Sequence, residues 1–246
     1  MEELANSSLD QIIRSNYKTM QLFEKYNIDF CTNGQMSLAE ACQNSNADIS
    51  LIAPEVDELM LLSNAELQFL NELTLDNLCD YIERRHHRYV TENIPFLQIK
   101  LSRLCEIYGQ NHPELFKIKN LFSEAAEHLA LHMKKEEHIL FPRIERMAKY
   151  QLALPEYHLE FGDVQNPIRE MANEHHEEDT RFKVISELTH HYDIPPDACT
   201  TFRIGYESLR EFEQDLRKHM YIENNILFKK AVEMEEELLR GQWKGR

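Results

Sequence analysis

Apolar residues recur at intervals of three and four along most of this chain, which is the spacing of helices that bury one face. Four long segments follow this spacing and are separated by glycine and proline: residues 74–108, 114–149, 163–191 and 197–240. The chain has only 6 glycines and 8 prolines, and no stretch shows a convincing strand pattern. Because short connections join long helices to antiparallel neighbours, the sequence predicts an all-α, up-down four-helix bundle.

A shorter helical region precedes the predicted bundle, which we assign to residues 72–240. Residues 1–62 contain an amphipathic stretch over positions 9–26, a second helix that opens with a Ser37 to Glu40 capping box, and a third short helix after Pro54. A segment of roughly sixty residues buries only a marginal core by itself. The sequence therefore predicts a small helical N-terminal domain in front of the bundle.

Charge and composition exclude several classes of partner. The chain has 43 acidic and 27 basic residues, a formal net charge of −16, so its surface would repel nucleic acids and anionic membranes. No stretch approaches the roughly 18 apolar residues of a membrane span, and the N-terminus lacks a signal-peptide pattern. Five cysteines without a CxxC pair fit reduced thiols. We therefore expect a cytoplasmic protein with no nucleic-acid or membrane partner, and monomer and homodimer both remain open.

Two of the predicted bundle helices carry the same phrase, His-Met-x-x-Glu-x-x-Ile-Leu-Phe, which begins at His132 and again at His219. Residues four apart share a helix face, so His132 lies beside Glu136 and His219 beside Glu223. A single pair of this kind is usually an exposed hydrogen bond, but both pairs here interrupt apolar stripes at core-facing positions. Burying these groups is costly without compensation, so they indicate a metal site, with a metal-free polar network as the alternative.

The other two bundle helices each contain a His-His doublet, and the helical register selects one member of each. On the first helix the apolar stripe places His86 inward and His87 on the solvent-facing side. On the third helix it places His175 inward and His176 outward. Each half of the bundle then contributes one single histidine and one His-Glu pair, with approximate two-fold symmetry. The sequence therefore predicts six metal ligands: His86, His132, Glu136, His175, His219 and Glu223.

The ligand types indicate which metal this site would hold. Four imidazoles and two carboxylates without a thiolate suit iron or manganese better than a closed structural zinc site. If both glutamates bridge, two ions about 3.5–4 Å apart keep open positions for oxo, hydroxo, dioxygen or nitric oxide ligands. A bundle core is the usual place for a carboxylate-bridged di-iron site. We therefore predict two iron ions with oxo or hydroxo and carboxylate bridges, and prefer iron to manganese.

These motifs resemble those of one known family, the RIC or "repair of iron centres" di-iron proteins. The matching segments are ERRHH at His86, HMKKEEHILFP at His132, NEHHEE at His175, PPDACTTF at 195–202 and HMYIENNILF at His219. The resemblance spans essentially the full chain and implies a hemerythrin-like bundle behind a short N-terminal domain, with the same six ligands and two bridging glutamates. It also implies repair of iron–sulfur clusters damaged by nitric oxide or oxidants, by supplying iron, with damaged iron–sulfur proteins as partners.

One N-terminal motif departs from the family pattern. Members usually carry a double cysteine followed by glycines, whereas this chain has the single Cys31 within DFCTNG. The departure puts in doubt any function that needs a vicinal dithiol, and a turn residue is the simpler interpretation of Cys31.

Three functions remain open from the sequence. A non-classical repair protein that donates iron is favoured, and the alternatives are a nitric oxide or peroxide reductase and a hemerythrin-like sensor or carrier of O2 or NO. The site offers open metal positions to either alternative. We predict no catalytic residues beyond the metal ligands and no organic cofactor site.

Overall fold

The computed structural model describes residues 2–60, 65–153 and 164–243, and within these ranges it contains helices and no β-strand. The all-α prediction is therefore confirmed. Contacts divide the chain into two compact units, Met1–Leu73 and Thr74–Arg246. No helix in the described ranges is long and apolar enough to cross a membrane.

The first unit consists of short helices around a small apolar core that includes Leu9, Ile12, Phe23 and Phe30, each at most 1 % exposed. The predicted capping box is present, because the Ser37 hydroxyl accepts the Glu40 N–H while the Glu40 carboxylate accepts the Ser37 N–H. The helices described in this unit are α1 (Glu2–Asn6), α2 (Leu9–Ser15), α3 (Thr19–Lys25), α4 (Leu38–Asn44), α5 (Ile49–Met60) and α6 (Ala65–Glu72).

Two sequence expectations for the first unit differ from the structure. The amphipathic stretch at 9–26 is two helices, because Asn16 is extended after α2 and its side-chain oxygen accepts the N–H of Lys18 at 2.9 Å. Such a local side-chain bond competes with continuation of the helix. The third helix begins at Ile49, so Pro54 lies inside α5 instead of before it.

The second unit contains four bundle helices, and three of them are interrupted by a π-helical turn. A π turn widens the helix locally because its hydrogen bonds span five residues instead of four. Bundle helix 1 comprises α7 (Leu75–Ile82), the π turn Glu83–His87 and α8 (Arg88–Tyr108); bundle helix 2 comprises α9 (Glu114–Lys135), the π turn Glu136–Leu140 and α10 (Phe141–Ala153); bundle helix 3 is α11 (Gln165–Leu188); and bundle helix 4 comprises α12 (Thr200–Ile222), the π turn Glu223–Leu227 and α13 (Phe228–Trp243).

The connections between bundle helices fall where glycine and proline predicted them. Gly109 follows α8, and three consecutive residues with positive φ, His190 to Tyr192, follow α11. That backbone conformation cannot continue a right-handed helix. Pro155 and Gly162, which separate the second and third predicted segments, lie outside the described residues.

The order of packing confirms the up-down bundle. α8 packs against α9 and α12, and α11 packs against the same two helices, which closes a four-helix arrangement. The start of bundle helix 1 meets the end of bundle helix 2, because α7 packs against α10, so these neighbours are antiparallel. Short connections between long amphipathic helices produce this topology.

An aromatic cluster fills the bundle core beyond the polar residues of the two repeated phrases. Phe122, Phe182 and Phe212 are each at most 1 % exposed, and their ring centroids lie 5.3 to 6.5 Å apart. Burial of one such side chain contributes about 1.5–3 kcal/mol, and edge-to-face ring contacts add to it. The apolar stripe of α12 continues from Phe212 through Leu216 directly to His219. Packing of this aromatic core therefore holds α12, which carries His219, in place in the bundle.

Candidate metal centre

Six buried side chains from the four bundle helices converge in the core of the second unit. They form two overlapping groups of four, and the ligand atoms within each group lie within 4.8 Å of one another. None of the six residues is more than 5 % exposed. The first group comprises His87, Glu136, His219 and Glu223, and the second comprises His132, Glu136, His175 and Glu223.

The two carboxylates are shared between the groups. Glu223 directs Oε1 to Nε2 of His219 at 2.7 Å and Oε2 to Nε2 of His175 at 3.1 Å. Oε2 of Glu136 lies 3.3 Å from Nε2 of His87 and also 3.3 Å from Nε2 of His132. Each carboxylate thus stands between one imidazole of each group, which is the arrangement that a bridging carboxylate requires.

The structure differs from the sequence prediction at the first His-His doublet. His87, which the register placed on the solvent-facing side, is 2 % exposed and lies in the cluster. His86 is also fully buried, but its Nδ1 faces Asp215 at 3.1 Å and it belongs to neither group. The reason is the π turn Glu83–His87, whose extra residue breaks the 3.6-residue period on which the prediction relied.

The other five predicted residues lie where the register placed them. His132, Glu136, His175, His219 and Glu223 all belong to the cluster, and His176, the other member of the second doublet, is exposed. Bundle helix 3 has no π turn among its described residues, so its period is undisturbed before His175.

Three of the four cluster imidazoles are oriented by a hydrogen bond on the side away from the cluster. When Nδ1–H donates outward, Nε2 keeps its lone pair and faces inward, which is the form that ligates a metal. These bonds join Nδ1 of His87 to Glu137 at 2.8 Å, Nδ1 of His132 to Glu174 at 2.9 Å, and Nδ1 of His175 to Asn224 at 2.9 Å.

None of these outer partners is predicted from the sequence. Glu137 and Asn224 each directly follow a cluster glutamate, and Glu174 directly precedes His175. Adjacency to a predicted ligand was the only signal available, and charged residues are so common on these helices that it does not separate a partner from a solvent-exposed side chain.

The pKa shifts in the cluster show that its buried carboxylates favour positive charge beside them. Burial disfavours the charged form of His87, yet the carboxylates of Glu136 and Glu223 raise its pKa to about 10. Burial also opposes ionisation of Glu223, but the surrounding imidazoles, His219 foremost, hold the pKa of that carboxyl well below its usual range. The buried carboxylate of Glu223 therefore remains ionised, and either protons on imidazoles or a bound cation must compensate its charge.

Several inward-facing atoms have no hydrogen-bond partner among the described residues. They include both carboxylate oxygens of Glu136, Oε2 of Glu223 and Nε2 of His87. An unsatisfied buried polar group costs about 1–3 kcal/mol, and more if it is charged. A cation at the centre would satisfy all of them together, so the residues present fit a bound metal.

A cavity of about 490 Å³ leads to the centre between bundle helices 2, 3 and 4. Three cluster imidazoles, those of His132, His175 and His219, line it together with apolar side chains that include Leu129 and Leu216. The volume far exceeds that of a water molecule, whose share of liquid volume is about 30 Å³. Small molecules can therefore reach this side of the cluster.

A four-helix bundle with buried histidines and glutamates in this arrangement is a metal-binding protein of the hemerythrin class. Residues 80–231 match the family described as hemerythrin HHE cation binding domain, and residues 5–60 match ScdA_N, described as a domain of unknown function (DUF542). Since the first match alone covers more than half of the chain, this protein belongs to the hemerythrin family, and the two matches together confirm the resemblance to the RIC family. Membership implies iron binding, and the cluster is a group of residues that could hold the metal.

Curated relatives match along nearly the whole chain. An iron–sulfur cluster repair protein ScdA of Staphylococcus haemolyticus is 26 % identical over 226 residues, which cover 91 % of this chain and 97 % of the relative. An iron–sulfur cluster repair protein YtfE of Yersinia pseudotuberculosis is 29 % identical over 227 residues, which cover 92 % of this chain and 97 % of the relative. The similarity therefore includes both units of the chain.

Proposed function

We propose that this chain is a di-iron protein that helps repair iron–sulfur clusters damaged by nitrosative or oxidative stress, by supplying iron. Two relatives from different bacteria are named as iron–sulfur cluster repair proteins and match both units of the chain. The damaged iron–sulfur protein would be its macromolecular partner. Two ions, each held by two imidazoles and a share of both carboxylates, would give such a donor both a store of iron and a way to release it.

The observation that carries the proposal is the sharing of Glu136 and Glu223 between two groups of ligands. A single ion needs only one group of four, so a second imidazole pair on the far side of both carboxylates favours two ions. His87 and His219 would hold one iron, and His132 and His175 the other, with both glutamates bridging. The absence of thiolate from both groups supports iron over zinc, and the imidazole share supports iron over manganese.

The bound iron would be exchangeable and would have open ligand positions. The protein orients the ligands and offsets part of the charge of the ions. Glu137, Glu174 and Asn224 hold three imidazoles in the tautomer that binds metal. The carboxylates of Glu136 and Glu223 would offset part of the positive charge of the two ions in the buried core. No thiol of the described residues belongs to either group, so release of iron needs no cysteine ligand of this centre.

The test is reconstitution of a damaged cluster. A purified [4Fe–4S] dehydratase that has been inactivated with nitric oxide would be incubated anaerobically with the iron-loaded chain, and recovered dehydratase activity would be measured. We expect recovery with the loaded wild type and none with the Glu136→Gln, Glu223→Gln double variant. Equal recovery with the same amount of free ferrous iron would show that the chain adds nothing and would overturn the proposal.

A second candidate function is reduction of nitric oxide or peroxide at the same centre. The cavity beside His132, His175 and His219 favours it, because it gives small molecules a route to the ligands. Steady consumption of nitric oxide or peroxide with an electron donor would support this candidate over repair. Reversible O2 binding without consumption would instead indicate a sensor or carrier.

A further inference from the structure

His86 is a buried histidine outside both ligand groups. Its ring is 0 % exposed, and its Nδ1 lies 3.1 Å from a carboxylate oxygen of Asp215. In this contact Nδ1–H of His86 donates to the carboxylate of Asp215, and the Nε2 of an imidazole with its single proton on Nδ1 keeps a lone pair. That Nε2 is buried and has no hydrogen-bond partner among the described residues. A fully buried acceptor without a donor needs an explanation.

His219 has a buried ring nitrogen, Nδ1, that lacks an acceptor among the described residues. It is the one cluster imidazole whose Nδ1 lacks a hydrogen-bond partner within the described parts of the chain. Its Nε2 faces Oε1 of Glu223 at 2.7 Å, so a metal-binding tautomer must carry its proton on Nδ1. The other three imidazoles donate their Nδ1–H to oxygens of Glu137, Glu174 and Asn224, and the Nδ1–H of His219 has no equivalent acceptor among the described residues.

The two rings are stacked on each other. Their centroids lie 5.4 Å apart with an interplanar angle of 5°, and His86 also contacts the ring of Tyr81 at 5.9 Å. One buried acceptor and one buried donor therefore lie on neighbouring parallel rings that do not hydrogen-bond directly. A single water is sufficient to join two such groups, because buried waters satisfy polar atoms that have no protein partner.

We propose that His86 is the positioning residue of His219: one buried water donates to Nε2 of His86 and accepts the Nδ1–H of His219. Asp215, His86, the water and His219 then form one chain of hydrogen bonds that ends at the metal centre. The chain gives the fourth imidazole the outer partner that the other three already have. This inference rests on the proposed di-iron centre, and it assigns His86 a role outside the ligand set.

Two amide substitutions at His86 test the roles of its two ring nitrogens separately. Gln places its side-chain oxygen near the position of Nε2, so His86→Gln keeps an acceptor toward the water. Asn places its amide near the position of Nδ1, so His86→Asn keeps the contact to Asp215 and loses the acceptor. Both variants and the apolar His86→Phe would be purified as full-length, iron-loaded chains.

Three quantities would be measured for each chain: iron per chain, the rate of iron loss to an excess of a ferrous chelator, and the Mössbauer spectrum. We expect two irons in the wild type and in all three variants. Iron loss should be about 10- to 100-fold faster in His86→Asn and His86→Phe than in the wild type, because loss of an outer partner weakens metal binding by that factor. His86→Gln should stay close to the wild type, and only the iron bound by His219 should change its Mössbauer parameters.

The possible contrary results are distinct. Equal rates of iron loss in the Asn and Gln variants, whether fast or slow, would overturn the role of the Nε2 acceptor. A His86→Phe chain that binds one iron while its melting temperature is unchanged would show that His86 is a ligand and would also overturn it. A wild-type chain that holds no iron would overturn the proposed function and this inference together, whereas any of the former results with a wild type that holds two irons would leave the proposed function standing.

Discussion

Nε2 of His132 and Nε2 of His175 lie 3.1 Å apart and face each other in the bundle core. An outer oxygen accepts the Nδ1–H of each ring, so whenever both rings lack a proton on Nε2 the two nitrogens present lone pairs, which repel unless a cation lies between them. Two ligands at right angles and about 2.1 Å from one ion are about 3.0 Å apart. The separation of the two nitrogens therefore fits two ligands of one metal ion.

The first prediction concerns the ligand set. We expect His87→Ala to lose most of the iron bound beside His219, because His87 supplies an inward Nε2 and the register-based assignment of this residue to the surface was wrong. Iron per chain, measured by plasma emission spectrometry after anaerobic purification, would check this. The matched control is His176→Ala, which removes an exposed imidazole from the other doublet and should leave the iron content unchanged.

Iron removal should destabilise the second unit. Without a cation, the carboxylates of Glu136 and Glu223 are buried and incompletely paired, and an uncompensated buried charge costs about 3–5 kcal/mol. We expect the melting temperature to fall by about 10 °C on chelation, since 1 kcal/mol corresponds to roughly 2–4 °C for a unit of this size. Calorimetry before and after chelation measures the shift, and refilling with iron should reverse it. A melting temperature that chelation leaves unchanged would contradict the buried centre.

Glu137 should tune the affinity for iron without binding it. Its Oε1 accepts from Nδ1 of His87 at 2.8 Å, and loss of such a partner lowers metal affinity by about 10- to 100-fold. Competition with a chelator would measure the affinity of Glu137→Ala. The control is Glu92→Ala, because Glu92 is an exposed carboxylate whose ion-pair partner is Arg88 and not a cluster imidazole. Equal affinities of the two variants would refute this role.

Cys199 should be the most reactive thiol of the chain near neutral pH. It is exposed at the start of α12, where the Tyr108 hydroxyl and the N–H of Phe202 lower its pKa to about 7. Because the thiolate is the nucleophile, its alkylation by iodoacetamide should accelerate as the pH rises through 7 and level off above it. Peptide mass spectrometry would follow the rate. Tyr108→Phe should shift the midpoint upward, and Cys79, whose pKa burial raises, should stay unlabelled in the folded chain.

The aromatic cluster should carry a large share of the stability of the bundle. Phe212 contacts both Phe122 and Phe182 and is 1 % exposed, so Phe212→Ala should lower the free energy of unfolding by about 3–5 kcal/mol. Urea unfolding followed by circular dichroism measures this loss. Phe96→Ala is the control, because Phe96 is 42 % exposed and its truncation opens no core cavity.

Much of the architecture was available from local patterns. The four apolar segments predicted the bundle helices, and the repeated phrase predicted that His132 and His219 each lie beside a glutamate on an inward face. These features depend on residues within two turns of one another, so short-range periodicity is enough to find them. The helix break at Asn16 was missed, because there a side-chain hydrogen bond to the backbone competes with a periodic pattern that continues through it.

The sequence by itself determined the fold class, the two-fold pattern of histidines and glutamates, and five of the residues that meet in the core. Tertiary structure decided which member of the first doublet joins them. A π turn at Glu83–His87 turns His87 toward Glu136 and leaves His86 facing Asp215, and this turn is stabilised by packing against the other bundle helices. The register of a regular helix follows from its own sequence. A π turn adds one residue to a turn, and it is favoured here because Asp215 and Glu136, on other helices, contact the two histidines that it reorients.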